Sequence, residues 1–248
     1  MGDDLTVTGD GGDQNAAIWK SAAIVGEWRS NAEERERRRA VGLQLLAELL
    51  PFRADQPFTF ADLGAGTGAA ARAVLERHSQ ATAVLADFSP QMMGEGVEQL
   101  RPYEGRYRYV EFDLAAGAWP EAVPPVLDAV VTAFFVHHLP DERKAALFGE
   151  ILDRLRPGGW FVNLDPTRAV EPLVEDTWTR MNDRLDPEAA ERRAHRTPAE
   201  QARWENHVRY LAPVAPQLEA LARAGFEGVD VYWRHLENVL YAGRRPVA

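Results

Sequence analysis

Short apolar runs alternate with amphipathic stretches along the middle of the chain. The runs are FTFADL (58–63), TAVLADF (82–88), YRYVEFDL (107–114), LDAVVTAFF (127–135) and GWFVNLD (159–165). Between them the 3.6-residue spacing predicts helices over 68–79, 90–101 and 141–155, and a weaker one over 116–123. Strand alternating with helix implies a parallel sheet covered on both faces. Two further helices are expected ahead of it. Residues 16–30 carry Trp19 and Trp28, and residues 32–50 place Leu43, Leu46, Leu49 and Leu50 on one stripe. The alternation breaks after Pro166. Residues 167–210 are polar, helical in tendency and rich in Arg and Trp, which reads as a helical insertion. A helix over 213–224 then ends at Gly225, a C-cap residue. FEGVDVYWR (226–234) and ENVLYAG (237–243) follow with about two residues between them, too few for a parallel crossover, so they form an antiparallel hairpin at the sheet edge. The expected organisation is a tail with cap helices (1–50), a core (51–166), a helical cap (167–210) and a C-terminal helix with its strand pair (211–248).

Composition narrows the picture. At 248 residues, 46% apolar and 27% charged, the chain suits one domain with a small embellishment. No apolar run approaches the roughly 20 residues that span a bilayer. The acidic, Gly-rich start MGDDLTVTGDGGDQ lacks the regions of a signal peptide, so a frayed tail on a cytoplasmic protein is expected. The absence of cysteine excludes disulfides, thiolate zinc sites, iron–sulfur clusters and cysteine nucleophiles together. The formal net charge of −10 argues against a nucleic-acid partner and for a small molecule. The run Glu33-Glu-Arg-Glu-Arg-Arg-Arg39 reads as a solvated helix face with i,i+4 pairs.

The densest chemistry lies in Phe58-Thr-Phe-Ala-Asp62-Leu-Gly64-Ala65-Gly66-Thr-Gly68-Ala. A strand runs into a glycine-rich turn and then a helix, so backbone can approach a ligand closely. Gly64-x-Gly66-x-x-Ala69 also fits a dinucleotide fingerprint. Asp62, two residues before the first glycine, suits a cationic group where a dinucleotide needs room for pyrophosphate. Asp87 ends the second run, 19 residues after Gly68, where an acid accepts hydrogen bonds from ribose hydroxyls. Asp113 is expected at the end of the third strand, with Leu114 after it; the pair suits an adenine amino group and ring. Each aspartate alone reads as a cap or turn residue. Three at successive strand ends read as a site.

ADLGAGTG, LADFSPQMM, EFDL and LRPGGWF resemble, in order and spacing, the motifs of class I S-adenosylmethionine (SAM)-dependent methyltransferases. The likeness covers about residues 58–165 and returns at 213–243. It implies a Rossmann-like α/β fold, with a seven-stranded, mostly parallel sheet, an antiparallel C-terminal strand and a helical cap. It also implies SAM as cofactor. The methionine part would lie at Asp62, Gly64, Ala65 and Gly66, the ribose at Asp87, and the adenine at Asp113 and Leu114, with Phe88 stacked on it. Arg156-Pro-Gly-Gly159 resembles the family's turn into the fifth strand. FFVHHLPDERKAALFGEILDRLRPGGWFVNLD resembles a bacterial branch of small-molecule methyltransferases, with a role in secondary metabolism implied. That branch also holds the carboxy-SAM synthase of tRNA wobble-uridine modification, which acts on SAM and prephenate. Gln201-Ala-Arg203 is similar to its carboxylate-binding stretch. A non-catalytic module that holds SAM or S-adenosylhomocysteine (SAH) is the alternative from another class.

His137 and His138 follow the fourth strand, where this fold brings an acceptor to the methyl group; either imidazole suits a general base, an orienting donor or a helix-entry residue. Two adjacent histidines diverge and no carboxylate has ligand spacing, so no metal is expected. Asp165, ending the fifth strand, faces the same cleft and either orients the acceptor or caps the insertion. Trp28 and Trp204, with Arg203, are the cap residues expected to touch the acceptor. A homodimer is a further expectation.

Overall fold

The computed structural model describes residues 11–22, 24–26, 32–115 and 119–247. Seven strands form one sheet: β1 (Phe58–Leu63), β2 (Ala81–Asp87), β3 (Tyr107–Glu111), β4 (Leu127–Ala133), β5 (Leu155–Pro166), β6 (Glu227–His235) and β7 (Asn238–Arg244). Their order is β3-β2-β1-β4-β5-β7-β6. β1 to β5 run parallel, and β7 is antiparallel to both β5 and β6. The hairpin expected at the edge is present, with β7 inserted between β5 and β6 and Leu236 in its turn at φ 53°. The strand order reverses between β1 and β4, and the carboxyl ends there form the crevice in which open α/β sheets bind ligands.

The helices are α1 (Gly11–Trp19), α2 (Ala32–Leu49), α3 (Ala69–Arg77), α4 (Pro90–Gln99), α5 (Asp141–Arg154), α6 (Pro172–Leu185), α7 (Pro187–Ala194), α8 (Pro198–Arg209) and α9 (Val214–Ala224). Alternation along the strands sorts side chains into two cores. Phe58 and Phe60 of β1 and Val131 of β4 pack with Leu43 and Leu46 of α2, Leu50 just after it, and Val74 and Leu75 of α3. Ala61 and Leu63 of β1 and Val130 of β4 face Leu147, Phe148 and Ile151 of α5 and Leu221 of α9. Each fully buried Phe or Leu contributes roughly 1.5–3 kcal/mol, so both faces anchor the sheet firmly. α9 ends at Gly225 in the left-handed region (φ 107°). α6, α7 and α8 each begin on a proline, and α8 carries a Thr197/Glu200 capping box.

Three sequence expectations change. β3 stops at Glu111, so Asp113 lies in the loop beyond it. The described part of 116–123 holds no helix; Pro120 interrupts it, Pro124 and Pro125 follow it, and Trp119 packs on Phe112 instead. Arg156–Gly159 is part of β5 itself, as a bulge. The register against β4 shifts between Leu127 and Ala129, Gly158 adopts φ 77°, and Gly158 N–H donates to the Arg245 carbonyl.

Candidate active site

The tips of β1 and β2 carry the glycine loop and its two buried carboxylates. Gly64, Gly66 and Gly68 all have positive φ (65°, 53° and 79°), a conformation β-carbons resist. Phe135 fills the space a β-carbon at Gly64 would need. Below the loop, the Tyr109 hydroxyl donates to the Gly66 carbonyl (3.0 Å), and only a glycine at 96 leaves room for that hydroxyl.

Asp62 is buried at the end of β1. Its Oδ2 accepts from Ala71 N–H (2.9 Å), capping α3, which has no cap from its own N-cap residue Gly68. Its Oδ1 is buried and accepts no hydrogen bond. Burial pushes this carboxyl up to about 7, with Asp87 adding and the Ala71 N–H opposing. A buried oxygen left without a donor costs about 1–3 kcal/mol, which an ammonium group would recover. Asp87 ends β2 and accepts from Gly66 N–H at Oδ2 (2.7 Å) and from Ser89 N–H at Oδ1 (2.8 Å). Burial raises its pKa against those backbone donors. It thereby ties the glycine loop to α4 and keeps further lone pairs for a diol. Phe88, half-buried, has the Lys20 ammonium 5.6 Å from its ring centroid. Ala65 and Leu114 are buried. Asp113 is exposed and its Oδ1 accepts from Ala115 N–H (3.0 Å), a local turn contact. The orphaned Asp62 oxygen and the Asp87 cradle fit the amino and ribose parts of SAM. Asp113 is less committed than a strand-end residue, because the chain has already left the sheet.

The second half of the crevice lies at the tips of β4 and β5. His137, buried, donates its backbone N–H to Asp165 Oδ2 (2.7 Å), and its ring Nδ1 meets Asp165 Oδ1 (2.8 Å). The other ring nitrogen, Nε2, is 3.0 Å from Nδ1 of His207 on α8. Burial drives His137 and His207 down to about 3 and Asp165 up to about 7. Both imidazoles are therefore neutral at pH 7. With Asp165 ionised, both contacts are satisfied when Nδ1–H of His137 donates to the carboxylate and Nδ1–H of His207 donates to His137 Nε2; Nε2 of His207 makes no hydrogen bond among the described residues. His138, also held neutral by burial, meets Asn206 through Nδ1 (3.3 Å) and Trp19 edge-on. His207 had no spacing to strands or glycine loops that would mark it in the sequence; its only signal is its place three residues after Trp204, on whose indole it stacks (5.5 Å).

The cap closes on this cluster from two segments far apart in the chain. Asn206, buried, donates to Asn15 of α1 (2.8 Å), Ser89 Oγ donates to the Trp19 carbonyl (2.6 Å), and Arg203 donates to the Ile24 carbonyl (3.3 Å). Trp204 is 40% exposed, under the Arg196 guanidinium. Trp28 lies outside the described residues. Thus Asp62, Gly64, Ala65, Gly66 and Asp87 gather at one half of the crevice, and His137, His138, Asp165 and Trp204 with His207 at the other. No group of three or more acidic or His side chains that could hold a metal exists among the described residues, and no helix there is long and apolar enough to cross a membrane.

Residues 61–161 match a methyltransferase domain family. The chain is 36% identical over 134 residues to the demethylmenaquinone methyltransferase of Thermus thermophilus, covering 54% of this chain and 55% of that protein. The chain thus spans about half the length of that relative. It is 31% identical over 194 residues to the trans-aconitate 2-methyltransferase of Azoarcus sp., covering 77% of this chain and 70% of that protein. Among solved structures, an O-methyltransferase family protein of Burkholderia thailandensis aligns over 96% of this chain and 68% of its own, at TM-score 0.63 and 18% identity. Human N-acetylserotonin methyltransferase with SAM aligns over 94% of this chain and 59% of its own, at TM-score 0.63 and 16% identity. The two structures share the fold.

Proposed function

The chain belongs to the class I SAM-dependent methyltransferases, and from that premise we propose that it transfers a methyl group from SAM to a small-molecule acceptor of bacterial secondary metabolism. The observation that carries this reading is the buried, donor-less Oδ1 of Asp62 behind the glycine loop, a place for an ammonium group. The bound sulfonium supplies a methyl group already activated for displacement. The protein's share is then positioning, exclusion of water and custody of a proton.

Asp62 holds the amino group and Asp87 the ribose diol, while Phe88 and Leu114 enclose the base, with Asp113 at its rim. For an acceptor that carries a proton, the relay begins at the open Nε2 of His207. As that nitrogen takes the proton, the Nδ1 proton of His207 moves to His137 Nε2, and the His137 Nδ1 proton moves to Asp165. The acceptor proton is balanced by a neutral Asp165, whose pKa near 7 suits the exchange. His137 is thus the middle of the relay and His138 orients the Asn206 contact. Trp204, with Arg203 and Trp28, belongs to the acceptor wall.

The test is SAH binding by calorimetry. The wild-type chain is expected to bind SAH, and Asp87→Ala to bind at least tenfold more weakly with an unchanged far-UV spectrum, because two backbone donors and the diol lose their acceptor. Equal affinity in the variant would remove Asp87 from the ribose site.

A further inference from the structure

The charged run on α2 is not uniformly solvated. Arg72 of α3 pairs with Glu36 (2.9 Å), and Arg38 reaches Asp186 (3.1 Å). Arg39 does neither. Among the described residues its guanidinium makes no hydrogen bond and no ion pair, although its side chain is half-buried. Its guanidinium lies over the ring of Phe134, 3.7 Å from guanidinium carbon to centroid. The charged groups it feels are Arg35 and Arg38 on its own helix and Asp165 on β5, and it acts in turn on His137, His138 and His207. Asp165 has both oxygens engaged by His137. Burial and the two neighbouring arginines pull Arg39 down to about 9, the mark of a cation short of an anion. Phe134 is itself strained, at φ 57° directly after β4, and its N–H is held by the Leu164 carbonyl. That strain sets an aromatic face under a planar fork, which leaves the guanidinium N–H groups free for a bidentate partner.

We propose that the methyl acceptor carries a carboxylate and that Arg39, seated on Phe134 beside the His137–His207 pair, is the residue that grips it. The inference rests on the methyltransferase reading. It also gives a role to a cation flanked by Arg35 and Arg38 in a chain whose formal net charge is −10, which would otherwise repel an anion.

The experiment uses the full chain saturated with SAH, at fixed ionic strength. Citrate is the carboxylate probe, with inorganic phosphate and glycerol as comparators, read by calorimetry. Citrate is expected to bind, phosphate to bind at least tenfold more weakly, and glycerol not to bind. Arg39→Met is expected to weaken citrate at least tenfold while SAH affinity stays within twofold, and Arg39→Lys to fall between, since it keeps the charge without the fork. Ligand-free Arg39→Met is expected to melt no lower than the wild type, because an unpaired buried cation is removed. No citrate binding to the SAH-loaded protein overturns the proposal, as does equal citrate affinity in Arg39→Met or phosphate binding as tight as citrate. SAH binding without citrate binding overturns this proposal alone; a chain that does not bind SAH overturns the SAM-site reading and this proposal with it.

Discussion

Gly64→Ala is expected to lose about 3–5 kcal/mol of folding stability and with it measurable SAH binding. An added β-carbon would stand 2.1 Å from Cγ and 2.6 Å from Cβ of Phe135, a residue buried between β4 and α5 that has nowhere to swing. The positive φ adds strain of its own. Gly66→Ala is the matched control. Its β-carbon meets only the far end of Met92, at 3.1 Å, so the loss should stay near that of the backbone strain, about 1 kcal/mol. Urea unfolding of both variants measures the difference. Equal midpoints would mean that Phe135 yields and that the loop is not wedged by it.

The second large effect is in pH. The Asp62 carboxyl sits at about 7 in the fold against an ordinary 3.8. Below pH 4 both states hold the proton and Asp62 contributes nothing. As pH rises from 4 to 7 the unfolded chain releases its proton while the folded chain keeps it, so stability falls with rising pH and levels off above 7. Asp62→Asn keeps an acceptor for Ala71 and has no such slope. Without ligand, the variant should therefore gain on the wild type by roughly 2–3 kcal/mol between pH 5 and pH 8. With SAH bound the order should reverse, because an ammonium group then pairs with the carboxylate. Urea midpoints at the two pH values, with and without SAH, decide it; parallel curves would show that Asp62 is ionised throughout and already has a partner.

The half of the crevice built from local spacing was legible in the chain. Asp62, the glycines and Asp87 sit at fixed offsets from strand ends, and a strand end is where an apolar run meets a glycine or a helix start. Asp113 is not at a strand end because β3 stops three residues before the end of its apolar run, so the carboxylate accepts a local turn contact. His207 and Arg39 were not legible as site residues. Each lies in a helix that joins the crevice only through tertiary packing, and helical periodicity says which face is apolar, not which strand tip it meets. Arg39 is one of four arginines in a mixed-charge run, and its packing against Phe134 comes from the tertiary fold and not from the run. The Trp28 expectation lies on residues the structure does not describe.

The joint at Asn206 has a consequence for the order in which the molecule is made. Asn15 and Asn206 are 191 residues apart, and Arg203 reaches back 179 residues to Ile24. During synthesis α1 leaves the ribosome well before α8, so its dock does not exist until α8 has emerged. An early-made segment must therefore stay undocked while the chain between Asn15 and Asn206 is translated.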